Sequence, residues 1–179
     1  LGKYKYFCIM ENRKDKVLKQ LEDWNIAYRL YTHPPLPTAA EAMAYWKDIE
    51  AQHCKNLFFR NHKGNRHYLV VFDWKRDLPI HRIEKMLRQG KLTFASPQRM
   101  MRYLGVEPGS VSPFGLLNDM ENHVVLFIDN KLKEAEEISF HPNDNRYTAV
   151  ISKTDFFRFL ELVGNAHVFL DIDSPEILS

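Results

Sequence analysis

Lys55-Asn56-Leu57-Phe58-Phe59-Arg60, Asn61-His62-Lys63-Gly64-Asn65-Arg66 and His67-Tyr68-Leu69-Val70-Val71-Phe72 follow one another without a break. The first and third runs are rich in aromatic and β-branched residues, and the middle one holds the glycine and asparagines of a tight connection. Together they predict two antiparallel strands joined as a hairpin. A hairpin in a chain that also carries helical periodicity calls for a sheet with helices packed on it.

Upstream, Val17, Leu18, Leu21 and Trp24 recur at helical spacing and predict an amphipathic helix over Asn12–Trp24, with residues 1–15 peripheral to the domain. Ala27–Tyr31 alternates weakly as a short strand. His33-Pro34-Pro35-Leu36-Pro37 then excludes both helix and ladder, leaving a rigid extended connector. Thr38 and Glu41 form a capping box for a helix over Ala39–Ile49. Downstream of the hairpin, Leu78–Gln89 reads as a helix stopped at Gly90, and Lys91–Ala95 as a short strand. Ser96-Pro97 fits N-cap and first turn of a helix that closes at Gly105. His123–Ile128, Glu137–Phe140, Thr148–Ile151 and Ala166–Asp171 read as further strands, with a helix from Ser152 to Leu162 before the last. Helices among about seven strands predict a single α/β (α+β) domain over residues 1–179, built on a mixed sheet.

The 45% hydrophobic and 27% charged composition is that of an ordinary soluble domain. Cys8 and Cys54 form no CxxC pair, which argues against a disulfide framework or zinc site and fits a reducing, cytoplasmic address. No apolar run approaches the roughly 18 residues of a membrane span. The histidines show no HExxH spacing, and GxxxxGK[ST] and GxGxxG are both missing, so neither a metal nor a nucleotide cofactor is expected. Charge is uneven: residues 55–102 hold 12 Lys+Arg against 3 Asp+Glu, and residues 103–179 hold 5 against 13. The basic stretch suits a polyanion such as nucleic acid, although the two segments could equally face each other.

One further stretch carries chemistry. Glu107-Pro108-Gly109-Ser110-Val111-Ser112-Pro113-Phe114 sets glycine and prolines among small hydroxyl residues. Such a loop leaves backbone N–H groups outside secondary structure, where they can hold an oxygen; a plain structural turn is the alternative reading.

Five segments in order resemble the YbaK/ProX aminoacyl-tRNA deacylases, relatives of the editing domain inserted in bacterial prolyl-tRNA synthetases. They are Lys55–Arg60, the hairpin end His67–Val71, Phe94-Ala95-Ser96-Pro97, Gly109–Phe114 and Phe140-His141-Pro142-Asn143-Asp144-Asn145, and the resemblance runs from about Val17 to Asp171. The loop is more similar to the ProX branch, which clears alanine from tRNA for proline, than to the YbaK branch, which clears cysteine. What the resemblance implies is a free-standing trans-editing hydrolase that cleaves the ester of mischarged tRNA, most of all Ala-tRNA(Pro). Aminoacyl-tRNA is then the partner, and prolyl-tRNA synthetase an open second one. Lys55 is carried over as the functional lysine, Gly109 to Pro113 as the GxxxP element and His141 as the motif histidine. Asn56, Pro113, Phe114, Asn143 and Asn145 are carried over as substrate contacts. The chain departs from the family at Arg146 and Tyr147, where small residues are common.

An aminoacyl ester is already activated, so its hydrolysis needs positioned water and oxyanion stabilisation more than a strong nucleophile. The amides of Ser110, Val111 and Ser112 are the expected donors, and the hydroxyls of Ser110 and Ser112 lie in no GxSxG elbow. Lys55 could order the ester or hold phosphate, and His141 could bind or act as acid or base near neutrality; each would otherwise be a solvated lysine and a turn histidine. Cys54 reads as inert core. Lys63, Arg66, Lys75, Arg76 and Arg82 form the candidate tRNA surface. Two rivals stand beside alanine editing: a Cys-tRNA(Pro) deacylase, and a non-catalytic tRNA-binding or amino-acid-sensing module of the same fold.

Overall fold

The computed structural model describes residues 2–174, with side chains from Arg13 onward. The hairpin is present: β2 (Gln52–Arg60) and β3 (His67–Asp73) pair antiparallel from Cys54↔Asp73 to Arg60↔His67. β3 is buried over six consecutive residues because it lies in the middle of the sheet with both faces covered. Around it stand β1 (Arg29–Thr32), β5 (Val124–Asp129), β6 (Glu137–Phe140), β7 (Tyr147–Ser152) and β8 (His167–Leu170), in the order β1-β7-β6-β2-β3-β5-β8. The two-residue β4 (Thr93–Phe94) pairs with β2 off that path. The sheet is mixed, as expected, with eight strands against the expected seven or so; β2–β6, β3–β5 and β5–β8 are parallel.

Strand alternation sorts the core. Phe58, Leu69, Val71, Leu126 and Ile128 face the larger cluster, which takes in Val17 and Leu21 of α1 (Gly2–Asp23), Leu104 of α4 (Pro97–Leu104) and Phe156 and Phe159 of α5 (Lys153–Val163). Phe59, Tyr68, Val70, Phe72 and Phe127 face the other way, against Ile83 of α3 (Ile80–Leu87). Phe58 and Phe59 are adjacent in sequence and lie on opposite sides, both almost fully buried. At ~1.5–3 kcal/mol for each buried side chain of this size, the pair fixes the register of β2, since a one-residue slip would exchange their environments.

The Thr38–Glu41 capping box is formed in full, and Ser96 and Gly105 cap α4 at its two ends. Several boundaries differ from expectation, the largest at α1, which starts at Gly2 against an expected start at Asn12. α2 (Ala39–Trp46) stops three residues early, because His53 Nε2 meets the carbonyls of both Trp46 and Ile49 and turns the chain into β2. α3 ends on a left-handed Arg88 rather than at Gly90. The GxxxP loop runs directly into a 3-10 turn, Pro113–Asn118, which Pro113 starts and Ser112 caps, its Oγ accepting from the Phe114 amide at 3.2 Å. None of the described helices is long and apolar enough to cross a membrane.

At the turn end of the hairpin His67 is fully buried. Its Nδ1–H donates to His123 Nε2 at 2.8 Å, and its Nε2 accepts from Arg99 Nη1 at 2.7 Å. Burial, His123 and Arg99 together push its pKa down to about 4. The unfolded chain takes up this proton near pH 6.5 and the folded chain resists it, so the stability that neutral His67 supports is complete above that pH. It is lost as pH falls toward 4. The loss should be on the order of 3 kcal/mol. Urea unfolding of the wild type and a His67→Phe variant at pH 7.5 and 4.5 checks this: the variant should lose markedly less on acidification, and equal losses would remove His67 as the cause.

Candidate active site

The site grows from a gap in the sheet. β6 pairs with β2 only at Gln52 and His53, and β4 only at Phe59 and Arg60, so the edge of β2 between them has no strand partner. Phe58 O accepts from Ala95 N on that side at 2.8 Å. Backbone groups alternate along a strand, so the N–H and C=O of Asn56, two residues earlier, point the same way, into the gap. Asn56 Oδ1 is buried and has no partner among the described residues.

Three segments wall this gap. The Pro-rich connector, Glu107–Ser112 and His141–Tyr147 are tied together: Leu36 N donates to Asn145 O at 3.0 Å, and Asn145 N donates to Ser110 Oγ at 3.2 Å. Gly109 sits where they meet, at φ +86°, and a Cβ there would lie 3.1 Å from both Cα and Cβ of Pro37. Between β2 and these walls opens a cleft of about 360 Å³, bordered by Lys55, Asn56, Gly109, Val111 and His141 together with apolar groups from α2 and α4. A chamber of about 10 Å³ adjoins it, bordered by Asn56, Ser139, His141 and Thr148 and by Trp46, Cys54 and Phe140; it is at the lower limit for a single water.

His141 Nδ1–H donates to Tyr147 O at 2.7 Å, which leaves Nε2 with its lone pair and, among the described residues, no partner. Burial, reinforced by nearby His33, lowers its pKa despite that bond, so the ring is neutral at neutral pH. His33 itself bridges Pro34 O at 2.8 Å and Thr148 Oγ1 at 2.9 Å, locking the connector to β7. Cys54 borders both cavities, and burial raises its thiol pKa well above the ordinary value, so it stays protonated.

Several expected site residues hold the structure instead of facing the cleft. The Ser110 amide is used in a turn to Glu107 O at 3.1 Å, and its hydroxyl is taken by Asn145 N. The Ser112 hydroxyl is taken by its cap, and the residue is fully buried and does not border the cleft. Among the described residues the amides of Gly109 and Val111 make no hydrogen bond, and these two residues border the cleft. Pro113 is buried at the start of the 3-10 turn, and Phe114 is a core ring packed edge-on against Phe140 and Phe159. Asn143 adopts a left-handed conformation and donates to Phe114 O at 3.4 Å, supporting the loop from behind. Asn145 acts through its backbone, with its amide side chain against Gly109. Arg146 turns back onto Asp144, with Nη2–Oδ2 at 2.6 Å, so its bulk stays off the cleft wall.

Lys55 borders the cleft, yet its ammonium lies on the opposite face of β2 from Cys54 and Phe58. It is 5.8 Å from the Phe72 ring and 3.5 Å from Arg76 O, a contact long enough to exchange readily for another acceptor. Of the candidate tRNA cations, Lys63, Arg66 and Lys75 are exposed. Arg76 pairs with buried Asp129 at 2.6 Å and with Asp173, and Arg82 donates to Ile172 O at 2.8 Å. Part of the charge asymmetry is therefore internal: the acidic segment pairs Arg76 through two carboxylates and holds Arg82 through a backbone carbonyl.

The family model for the aminoacyl-tRNA editing domain matches residues 33–159, which span the connector, the gap in β2, the GxxxP loop and His141. The chain belongs to the aminoacyl-tRNA editing family. It is 35% identical to the prolyl-tRNA editing protein ProX of Acetoanaerobium sticklandii, over 89% of this chain and 97% of that one. It is 30% identical to prolyl-tRNA synthetase associated domain-containing protein 1 of Danio rerio, over 87% of each. A crystal structure described as a candidate trans-editing enzyme for prolyl-tRNA synthetase superposes with a TM-score of 0.66 at 22% identity, covering 89% of this chain and 96% of that one, and so shares its fold. Reading the chain as an aminoacyl-tRNA deacylase agrees with membership of the editing family.

Proposed function

We propose that this chain hydrolyses the ester of alanyl-tRNA(Pro), releasing alanine and free tRNA. The observation that carries the reading is the cleft beside the unpaired edge of β2, where a neutral imidazole and free backbone donors converge on one small space. The aminoacyl group enters with its carbonyl oxygen toward the amides of Gly109 and Val111, and the Asn56 carbonyl accepts from its ammonium. A water that donates one O–H to His141 Nε2 and the other to Asn56 Oδ1 keeps a lone pair for the carbonyl carbon. As that C–O bond forms, the water proton passes to Nε2 and the oxyanion is held by the amides. Collapse breaks the ester bond to the ribose, and Nε2 returns the proton to the departing oxygen. Lys55, swinging round the bare edge, holds ribose or phosphate as a compact cation.

A cleft walled by Leu36, Ala42 and Phe58 suits a small side chain and turns proline away by bulk. One methylene changes binding in such a site by only about 1–3 kcal/mol, so discrimination among small amino acids is modest and cysteine is the close rival. The test is release of labelled amino acid from Ala-tRNA(Pro), Cys-tRNA(Pro) and Pro-tRNA(Pro). Fast release of alanine and intact Pro-tRNA(Pro) are expected. A faster cysteinyl reaction would move the specificity, and no hydrolysis of either mischarged species would leave only a binding module.

A further inference from the structure

Phe94 is 58% exposed, more than any other described Phe, Tyr or Trp, and it stands at the lip of the cleft. Its support is rigid. β4 is paired to β2 at Phe59 and Arg60, Ala95 N is bonded to Phe58 O, and Ser96 caps α4 immediately afterwards. The ring stacks on buried Phe59 with centroids 4.7 Å apart and planes 24° from parallel, so one face is covered and the rest of the ring is presented outward. Leu57 and Met100 border the cleft beside it. The surroundings carry an excess of positive charge: Lys85, Arg88, Lys91, Arg99 and Arg102 lie between Glu84, whose carboxylate accepts from Leu92 N at 2.7 Å, and Glu107. All of these cations but Arg99 are exposed.

A fixed aromatic ring in a cationic surface suits a flat, uncharged group attached to a polyanion. A nucleobase on an unpaired strand has that chemistry, because every base offers a π-face while its phosphates seek cations. The position narrows the choice of base. If the cleft takes an aminoacyl ester on the terminal ribose of tRNA, the base on that same ribose must leave by the cleft mouth, where Phe94 stands.

We propose that Phe94 is the stacking platform for the unpaired terminal nucleobase of the tRNA acceptor end. The proposal rests on the aminoacyl-ester reading of the cleft, and its test separates the two. The probe is an acceptor-stem RNA hairpin carrying 2-aminopurine in place of its terminal adenine, whose fluorescence is quenched by stacking. Wild type and Phe94→Trp should quench it. Phe94→Leu, which keeps an apolar cover over Phe59, and Phe94→Ala should not. In parallel, kcat/KM on alanyl-tRNA(Pro) should fall ~5- to 150-fold in the Leu and Ala variants and recover in the Trp variant. No quench by the wild type, an undiminished quench with Phe94→Leu, or unchanged kcat/KM in both truncated variants would overturn the platform. A Phe94-dependent quench from a chain that hydrolyses no aminoacyl ester would support the platform and remove the deacylase reading.

Discussion

A His141→Ala variant is expected to hydrolyse alanyl-tRNA(Pro) ~10²- to 10⁴-fold more slowly than the wild type, the range over which a positioned general base contributes. The loss should fall mainly on kcat, because in the proposed reaction the ring meets the attacking water and makes little of the contact with tRNA. The pH profile separates this role from a structural one. Burial lowers the His141 pKa, so the base is in its active, neutral form at pH 7 and is lost only as pH falls below the ordinary imidazole value of ~6.5. The wild type should therefore be flat through neutrality with an acid limb below ~pH 6.5, and the variant should lack that limb. Rates taken above about pH 5.5 stay clear of most of the acid destabilisation assigned to His67. An acid limb that persisted unchanged in the variant would transfer the titration to another group.

How much of this was legible in the sequence depends on how local each signal is. The Thr38–Glu41 capping box, Ser96 and Gly105 at the ends of α4, and the hairpin each sit within a few residues of the structure they specify, and all are present. The site is different, because it is made by what β2 lacks. Two short pairings, with β6 at Gln52–His53 and β4 at Phe59–Arg60, leave the Asn56 peptide open, and no property of Asn56 announces that two strands end on either side of it. The same holds for residues assigned by motif alone. Phe114 and Asn143 lie within the right segments, but the 3-10 turn carries Phe114 into the core and holds Asn143 behind the loop. Arg76 and Arg82 look like free cations until Asp129 and Ile172, distant in sequence, arrive beside them. Phe94 shows the same limit: the short strand read over Lys91–Ala95 says nothing of which side chain is exposed, and its place on a two-residue strand at the cleft mouth leaves Phe94 open.

The contrast between the glycine and the serines of the GxxxP loop gives the second large effect. At Gly109 the backbone is left-handed, which costs an ordinary residue about 1–2 kcal/mol. A side chain there also meets Pro37 at 3.1 Å and the Asn145 amide at 3.3 Å. Neither neighbour is free to give: Leu36 N is bonded to Asn145 O, and His33 locks the connector to Thr148. The β-branched side chain of Gly109→Val must therefore move the loop itself, displacing the Val111 amide from the position of the developing oxyanion. Loss of one such donor costs about 10²- to 10³-fold in kcat, and that is the expected effect of Gly109→Val. Ser110→Ala and Ser112→Ala remove bonds that hold the chain in place: to Asn145 N in one case, and in the other a cap worth ~0.5–2 kcal/mol of stability. They should lower the melting temperature and leave kcat within about tenfold, because neither hydroxyl reaches the ester in a backbone-led site. Single-turnover rates and melting curves on the three variants distinguish the outcomes, and equal kinetic losses in all three would mean that the hydroxyls, and not the amides, carry the chemistry.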